Sequence, residues 1–254
     1  MEAESSTGPR LLVLQHIECE PPGSYEDELL ERGGEVVRVE VDEGAPLPAW
    51  QDFDGIIVMG GPMGAYEEQR LPWLAAETQL IASAARAGAP VWGVCLGAQL
   101  LAASLGAAVG PGPEPEVGVL AVECTSDAPG DPVFSLAPQK FPALQWHTDT
   151  FALPEGARHL ARSASYEGQA FAFQRAYGLQ FHIEIGTELA TRWGRVPAYE
   201  RSLEAIWGPG ALDRLLAAID EREAEMRSLA RRLFGAWLDD VVAPAPVASL
   251  NPLR

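Results

Sequence analysis

The chain has 254 residues, of which 47% are hydrophobic, and it carries a formal net charge of −18. A chain of this length and composition can bury its own core without disulfides, so one large α/β domain, or a domain with an appendage, is expected. The strong negative charge disfavours nucleic acid and anionic membrane surfaces as partners. Residues 1–7 are acidic and polar, which predicts neither a signal peptide nor a membrane span.

Cysteine and histidine usage indicates the cellular compartment. The three cysteines, Cys19, Cys95 and Cys124, are widely spaced and form no CxxC pair, and the chain has four histidines. This pattern fits neither a disulfide framework nor a metal-ligand cluster. We therefore expect a reducing, cytoplasmic location and a protein that uses no metal and no cofactor.

The N-terminal part of the chain alternates strand-like and helix-like segments. Apolar runs predict strands at residues 11–15, 35–41 and 54–59, and helices are predicted at residues 24–32 and 71–87. This rhythm predicts an open, mainly parallel sheet with helices on both faces, a flavodoxin-like arrangement. The functional site is then expected at the carboxyl ends of the strands.

The next strand leads into a cysteine between two glycines. Residues 90–94 have strand character, Gly93 and Gly97 flank Cys95, and a helix-prone apolar segment follows. This is the spacing of a nucleophile elbow, with sulfur in place of a hydroxyl. The N-terminus of the following helix favours a thiolate over a thiol. A buried structural cysteine is the alternative interpretation.

The second half of the chain has a different pattern. Residues 110–115 are rich in glycine and proline and predict a rigid surface loop. Short strands with tight connections are predicted at residues 117–123, 141–146, 159–163 and 169–174. They indicate a more antiparallel region added to the sheet.

A helical extension follows a core domain, which gives predicted units at residues 1–197 and 198–254. Residues 208–210 read Gly-Pro-Gly and divide the extension into a shorter helix and a longer one. The longer helix has a broad apolar stripe, which predicts packing onto the sheet, with contact to a partner chain as the alternative. A Pro/Ala-rich tail completes the chain and is expected to pack with the extension.

A histidine and a glutamate follow another predicted strand, at residues 176–181. His182 and Glu184 are two residues apart, so on an extended backbone they share a face. A carboxylate beside an imidazole fixes its tautomer and stabilises the imidazolium. With the elbow at Cys95, the pair predicts a Cys-His-Glu catalytic triad.

Three motifs together resemble a known family. Residues 93–99 and 178–184 are similar to the two signatures of class I (triad-type) glutamine amidotransferases, and residues 60–64, Gly-Gly-Pro-Met-Gly, resemble that family's oxyanion loop. The resemblance covers about residues 10 to 195. It is strongest to stand-alone members related to the glutaminase domains of GMP synthetases.

The resemblance implies a reaction and a set of site residues. Cys95 would attack the γ-amide of glutamine, or of another γ-glutamyl compound, and form a thioester with release of ammonia or an amine. It implies that the backbone N–H groups of Gly61 and Leu96 form the oxyanion hole. Substrate contacts are implied for Gly60, Pro62, Gln99 and His147.

Two departures from the family pattern leave the substrate open. Ile183 stands where the synthetase-type pattern has proline, and residues 116–118 retain only part of the family's glutamine-binding segment. The alternatives are a hydrolase of γ-glutamyl amides or peptides, a glutaminase subunit that delivers ammonia to a separate synthetase, and a non-enzymatic regulatory or scaffolding relative. A homodimer formed through the extension is also open.

Overall fold

The computed structural model describes residues 8–243, so most of the predicted Pro/Ala-rich tail lies outside the described part. Within that part, nine strands form one sheet in the order β2-β1-β3-β4-β9-β8-β7-β5-β6. The strands are β1 (Arg10–Gln15), β2 (Glu35–Glu40), β3 (Gly55–Val58), β4 (Val91–Val94), β5 (Val109–Cys124), β6 (Lys140–Phe151), β7 (Arg158–Arg162), β8 (Ala170–Phe173) and β9 (Ala176–Leu179).

Seven α-helices accompany the sheet in the described residues: α1 (Ser24–Glu31), α2 (Trp73–Arg86), α3 (Leu96–Ser104), α4 (Thr187–Trp193), α5 (Pro197–Trp207), α6 (Ala211–Asp220) and α7 (Glu223–Trp237). Short 3₁₀ turns occupy Trp50–Asp52, Ala128–Gly130 and Phe134–Leu136, and a π-helical turn follows α7 at Leu238–Val242. In residues 8–243 no helix combines the length and the apolar character that a membrane crossing requires.

The sheet has a parallel half and an antiparallel half. Strands β2, β1, β3, β4 and β9 pair in parallel, whereas β8, β7, β5 and β6 continue the sheet with antiparallel pairings. The inner parallel strands are almost wholly apolar because helices cover both of their faces. The predicted fold class, an open and mainly parallel α/β sheet with an antiparallel addition, is confirmed.

Each face of the sheet has its own apolar core. One core joins α2 and α3 to the sheet, and the other joins α1 and α7 to it. In the second core Trp92 of β4 packs against Tyr25, Phe234 and Trp237, with ring centroids 5.5 to 5.6 Å apart. Aromatic residues of α1 and α7 therefore cover the strand that leads to Cys95.

The predicted surface loop at residues 110–115 is wrong. These residues belong to β5, where Val109, Gly110 and Pro111 pair with the end of β6 and the register shifts before Glu116. Proline lacks the N–H that a central strand must donate. Here β5 pairs with β7 only at Glu123 and Cys124, so its proline-rich part has a free side that requires no donor.

The prediction of one longer helix in the extension is also wrong, because this segment forms two helices, α6 and α7. The chain breaks between α6 and α7 at Arg222, whose φ of −122° and ψ of −2° are not helical. The break allows α6 to lie against β5 while α7 lies along α1. No glycine or proline marks this position, so the residue pattern contains no signal of it.

The elbow depends on a close contact between backbones. A Cβ atom added at Gly97 would lie 2.0 Å from the carbonyl oxygen of Val58, and one added at Gly93 would lie 2.7 Å from the carbonyl oxygen of Gly97. Any side chain at either position would separate α3 from β3 and β4. Both glycines flanking Cys95 are therefore required by space.

We predict that Gly97→Ala lowers the free energy of unfolding by about 1–3 kcal/mol or more, because the methyl group forces α3 away from β3. Urea denaturation followed by circular dichroism measures the change. Gly130→Ala is the matched control, since a Cβ there meets no atom within 4 Å. Equal unfolding free energies for Gly97→Ala and the wild type would contradict this account of the elbow.

Candidate active site

Cys95 lies at the turn between β4 and α3. Its φ of 52° is in the left-handed region that non-glycine residues rarely adopt. The Cys95 N–H donates to the carbonyl oxygen of Leu179 at 2.8 Å, and the N–H of Gln99 donates to the Cys95 carbonyl oxygen at 3.1 Å. These bonds hold a strained backbone that aims the sulfur at a cleft of about 350 Å³.

His182 follows β9 and is fixed by both its backbone and its ring. Its N–H and carbonyl oxygen form a pair of 2.9 Å hydrogen bonds with Leu144 of β6. The ring Nδ1 lies 2.7 Å from Oε1 of Glu184, and since a carboxylate only accepts, Nδ1 carries the proton. Trp193 packs edge-on against the ring at 4.7 Å between centroids. Nε2 is thus the ring nitrogen that Glu184 does not engage, and the Cys95 sulfur is near enough to help raise the pKa of the ring.

Glu184 is buried beside the histidine. Its Oε2 accepts a 3.0 Å hydrogen bond from the Ile183 N–H, which fixes the carboxylate while Oε1 holds His182. Burial of the ring opposes protonation of His182, but the Glu184 carboxylate and the Cys95 sulfur together raise its pKa well above the ordinary value. The environment therefore favours an imidazolium beside the sulfur.

The N–H groups expected at the oxyanion hole belong to Gly61 and Leu96, which lie next to each other in space. Leu96 is the first residue of α3, so its N–H has no partner within the helix. Gly61 lines the cleft together with Cys95, and a Cβ added at Gly61 would lie 3.2 Å from the Leu96 side chain. Among the loop hydrogen bonds of residues 8–243, none uses the Gly61 N–H as donor.

The residues implied as substrate contacts are not equivalent in the structure. Pro62, Gln99 and His147 line the cleft, whereas Gly60 is not among the residues that line it. The Gln99 side-chain amide donates to the Asp149 carbonyl oxygen at 3.2 Å and to Oε1 of Gln180 at 3.1 Å. Because its N–H groups have protein partners, Gln99 has only its oxygen available for a ligand.

Glu116 forms a polar support behind His147. Its carboxylate accepts hydrogen bonds of 2.7 Å from Ser163 and from Gln169, and Nε2 of His147 lies 3.3 Å away, a contact too poorly aligned for a hydrogen bond. Nδ1 of His147 lies 3.0 Å from the Asp149 carbonyl oxygen. Of residues 116–118, which match the family's glutamine-binding segment only in part, Val117 lines the cleft and Glu116 does not.

Glu20 is a buried carboxylate that sequence reasoning missed. It is 1% exposed and accepts a hydrogen bond from the Tyr199 hydroxyl. A Cβ added at Gly60 would lie 2.2 Å from Oε2 of Glu20 and 3.4 Å from Cε1 of His182. Burial raises the pKa of Glu20, and the positive charge of His182 opposes that rise.

The predicted extension also takes part in the site. Ala198, Tyr199 and Ser202 of α5 line the cleft. The signal that could have identified Glu20 is its place in the loop after the buried parallel strand β1, at the edge of the sheet where the other polar residues converge. No comparable signal identifies Tyr199, which reaches the cleft only through the packing of α5.

These features define an α/β protein with a cysteine elbow and a buried histidine–glutamate pair at the carboxyl edge of its parallel strands. The chain belongs to the class I glutamine amidotransferase family, because the model described as "Glutamine amidotransferase class-I" matches residues 24–191. Membership of this family supports an amidohydrolase activity on glutamine in general terms.

Similar proteins differ in how much of their own length this chain matches. The glutamine-hydrolysing GMP synthase of Thermomicrobium roseum is 39% identical over 132 residues, which are 52% of this chain and 23% of that one. The glutamine amidotransferase-like protein YfeJ of Salmonella typhimurium is 32% identical over 184 residues, 70% of this chain and 77% of that one. A solved glutamine amidotransferase from Thermotoga maritima superposes with a TM-score of 0.82 at 34% identity, covering 91% of this chain and 98% of that one.

We predict that the glutamine analogue 6-diazo-5-oxo-L-norleucine labels Cys95 alone in the folded protein. Burial raises the pKa of both Cys19 and Cys124 to about 11, so at pH 8 roughly one in a thousand of either is a thiolate. Peptide mapping by mass spectrometry identifies the labelled cysteine. Iodoacetamide in urea, which should modify all three cysteines, is the control. Labelling of Cys19 or Cys124 by the analogue would show that the active site lies elsewhere.

Proposed function

We propose that the protein is a cysteine-dependent amidohydrolase that cleaves the γ-amide of glutamine, or of another γ-glutamyl compound, through a thioester. The observation that carries the proposal is the arrangement of three side chains. The Cys95 elbow opens on the cleft, Glu184 holds Nδ1 of His182 at 2.7 Å, and the nearby Cys95 sulfur helps to raise the pKa of His182.

The first half of the proposed reaction forms the thioester. The Cys95 thiolate adds to the γ-carbonyl carbon, and the carbonyl π electrons move to oxygen, where the Gly61 and Leu96 N–H groups stabilise the charge. The tetrahedral intermediate then collapses and the C–N bond breaks. His182 gives its Nε2 proton to the departing nitrogen, which leaves as ammonia or an amine.

The second half returns the enzyme to its resting state. Neutral His182 takes a proton from water, and the resulting hydroxide adds to the thioester carbon. Collapse expels the Cys95 thiolate and leaves a free γ-carboxylate. Glu184 keeps the proton on Nδ1 throughout, so Nε2 is the atom that exchanges protons with substrate and water.

The rim of the cleft fits the polar end of a γ-glutamyl group. That end carries an α-ammonium and an α-carboxylate, which require partners of both signs. Arg70 and Glu67 form an ion pair at the rim, and Asp149 lies on the same lining. We propose that this charged rim holds the α-amino acid group while the γ-amide reaches Cys95.

A glutaminase subunit serving a separate synthetase is the second candidate. Its support is the similarity to a glutamine-hydrolysing GMP synthase subunit of Sulfurisphaera tokodaii, 32% identical over 55% of this chain and 72% of that one. We favour hydrolysis by the chain on its own, since α5 completes the cleft wall from within the same polypeptide. On this proposal the predicted extension packs on its own sheet or in a homodimer.

We predict that the purified protein releases glutamate and an equal amount of ammonia or amine from at least one γ-glutamyl amide, and that Cys95→Ala abolishes this. Removing the sulfur eliminates the nucleophile but little packing volume, so circular dichroism and melting temperature should not change. A panel of γ-glutamyl compounds, with ammonia and glutamate assayed separately, tests the prediction. Wild-type turnover in Cys95→Ala would refute the thioester, whereas activity that appears only with a co-purifying protein would favour the second candidate.

We predict that Glu184→Gln retains part of the activity, with a loss of roughly 10- to 100-fold in kcat. The loss should be smaller than the 10²–10⁴ that acid–base catalysis can supply, because the carboxylate orients His182 without exchanging protons with the substrate. Steady-state kinetics measures it. The exposed Glu188→Gln is the matched control, and rates for Glu184→Gln equal to that control would show that Glu184 has no role in the reaction.

A further inference from the structure

A second buried histidine–glutamate pair lies outside the proposed triad. His16 follows β1 and Glu77 lies in α2, and both side chains are wholly buried, with Nε2 and Oε1 2.8 Å apart. The other ring nitrogen, Nδ1, lies 3.1 Å from the carbonyl oxygen of Gly60. Trp73 stacks on the ring at 5.7 Å between centroids. The proposed reaction of Cys95, His182 and Glu184 does not use this pair.

Counting protons shows how the pair is charged. The Glu77 carboxylate and the Gly60 carbonyl are both acceptors, so each contact requires an N–H on the His16 ring. A neutral imidazole has only one N–H, whereas an imidazolium has two. Burial alone would lower the pKa of His16, but the adjacent Glu77 carboxylate outweighs it and raises the pKa. His16 therefore donates a charged hydrogen bond to Gly60.

The acceptor of that bond belongs to the peptide that carries one proposed oxyanion donor. The Gly60 carbonyl and the Gly61 N–H are two ends of the same planar group, and no peptide in residues 8–243 is cis. In a trans peptide the C=O and the N–H point in opposite directions. With the carbonyl directed at His16, the N–H is directed away from it, and Gly61 lines the cleft that holds Cys95.

The two glycines that flank the Gly60–Gly61 peptide explain why its orientation needs a support. A Cβ added at Gly60 would lie 2.2 Å from the Glu20 carboxylate, and one added at Gly61 would lie 3.0 Å from Cβ of His16. A side chain at Gly60 would therefore displace the Glu20 carboxylate, and one at Gly61 would press on His16. A peptide between two glycines is also the one that rotates most freely, since no side chain restricts its φ and ψ.

We propose that His16 and Glu77 form a clamp that fixes the Gly60–Gly61 peptide with its N–H directed at the oxyanion position, an inference that rests on the proposed function. Glu77 keeps His16 charged and in place, and His16 holds the carbonyl. His16 is thus a positioning residue that acts on the substrate through the backbone of Gly61.

Three variants test the clamp. His16→Leu removes both N–H donors at similar size, and kcat/KM should fall by roughly 10², the range found when an oxyanion donor is lost. His16→Asn keeps a donor near the place of Nδ1 and should recover most of that loss. Thr78→Val is the matched control, because it removes a neighbouring buried hydroxyl that has no hydrogen-bond partner, and it should leave kcat/KM unchanged.

A second pair of readouts separates positioning from general damage to the site. Alkylation of Cys95 by iodoacetamide needs no oxyanion hole, so its rate should not change in His16→Leu. The aldehyde analogue glutamate γ-semialdehyde forms a thiohemiacetal whose oxygen occupies that hole, so its affinity should fall in parallel with kcat/KM. Wild-type kcat/KM in folded His16→Leu, or an equal loss in the alkylation rate, would overturn the proposal.

Crystal structures of the variants make the test independent of activity. In His16→Leu the Gly60 carbonyl should rotate away from its wild-type direction, and in His16→Asn it should not. If His16→Leu fails to fold, Glu77→Gln replaces it, since loss of the charge should weaken the clamp and lower kcat/KM by a smaller factor. If the wild type hydrolyses no γ-glutamyl compound, the proposed function fails, and an unrotated peptide in His16→Leu would then refute the clamp separately.

Discussion

The contact between the start of α3 and the end of β3 is the constraint on which the site depends. Gly97 leaves room for only a hydrogen atom against the Val58 carbonyl, and this closeness brings the helix N-terminus to the edge of the sheet. Cys95 must then accommodate the turn with a φ of 52°. The same contact places Leu96 beside Gly61, which follows β3, so one backbone approach positions the proposed nucleophile and both proposed oxyanion donors.

Two buried histidine–glutamate pairs lie on either side of the Gly60–Gly61 peptide. His182 and Glu184 support the sulfur, and His16 and Glu77 support the carbonyl of Gly60. Isolated charges would be costly at these depths, whereas in each pair the carboxylate compensates the charge of the ring and accepts one of its hydrogen bonds. The chain is strongly acidic overall. Near Cys95, the carboxylates of Glu77 and Glu184 raise the pKa of the neighbouring histidines and so favour their charged forms.

Local patterns in the sequence predicted the parts of the molecule that depend on local geometry. The alternation of strands and helices predicted the α/β class, and the glycines around Cys95 predicted a strand–turn–helix, because close backbone contacts leave a signature in residue size. The two-residue spacing of His182 and Glu184 predicted a shared face, and the structure places their side chains in contact.

Long-range packing determined what the sequence could not predict. Prolines at residues 111–115 suggested a loop, but a strand tolerates them there because its neighbour on that side is absent until Glu123. The break at Arg222 follows from two helices packing on different elements. His16, Glu20 and Tyr199 reach the site from distant parts of the chain, and only the folded sheet brings them together.

The central claim is that a γ-glutamyl thioester forms on Cys95, and direct trapping of that species tests it. The protein is quenched in acid during steady-state turnover of its best γ-glutamyl substrate, digested and mapped by mass spectrometry. We expect a glutamyl adduct on the peptide that contains Cys95, lost on treatment with hydroxylamine as γ-glutamyl hydroxamate appears. Turnover with the adduct on another side chain, or with no adduct and no hydroxamate, would contradict the claim.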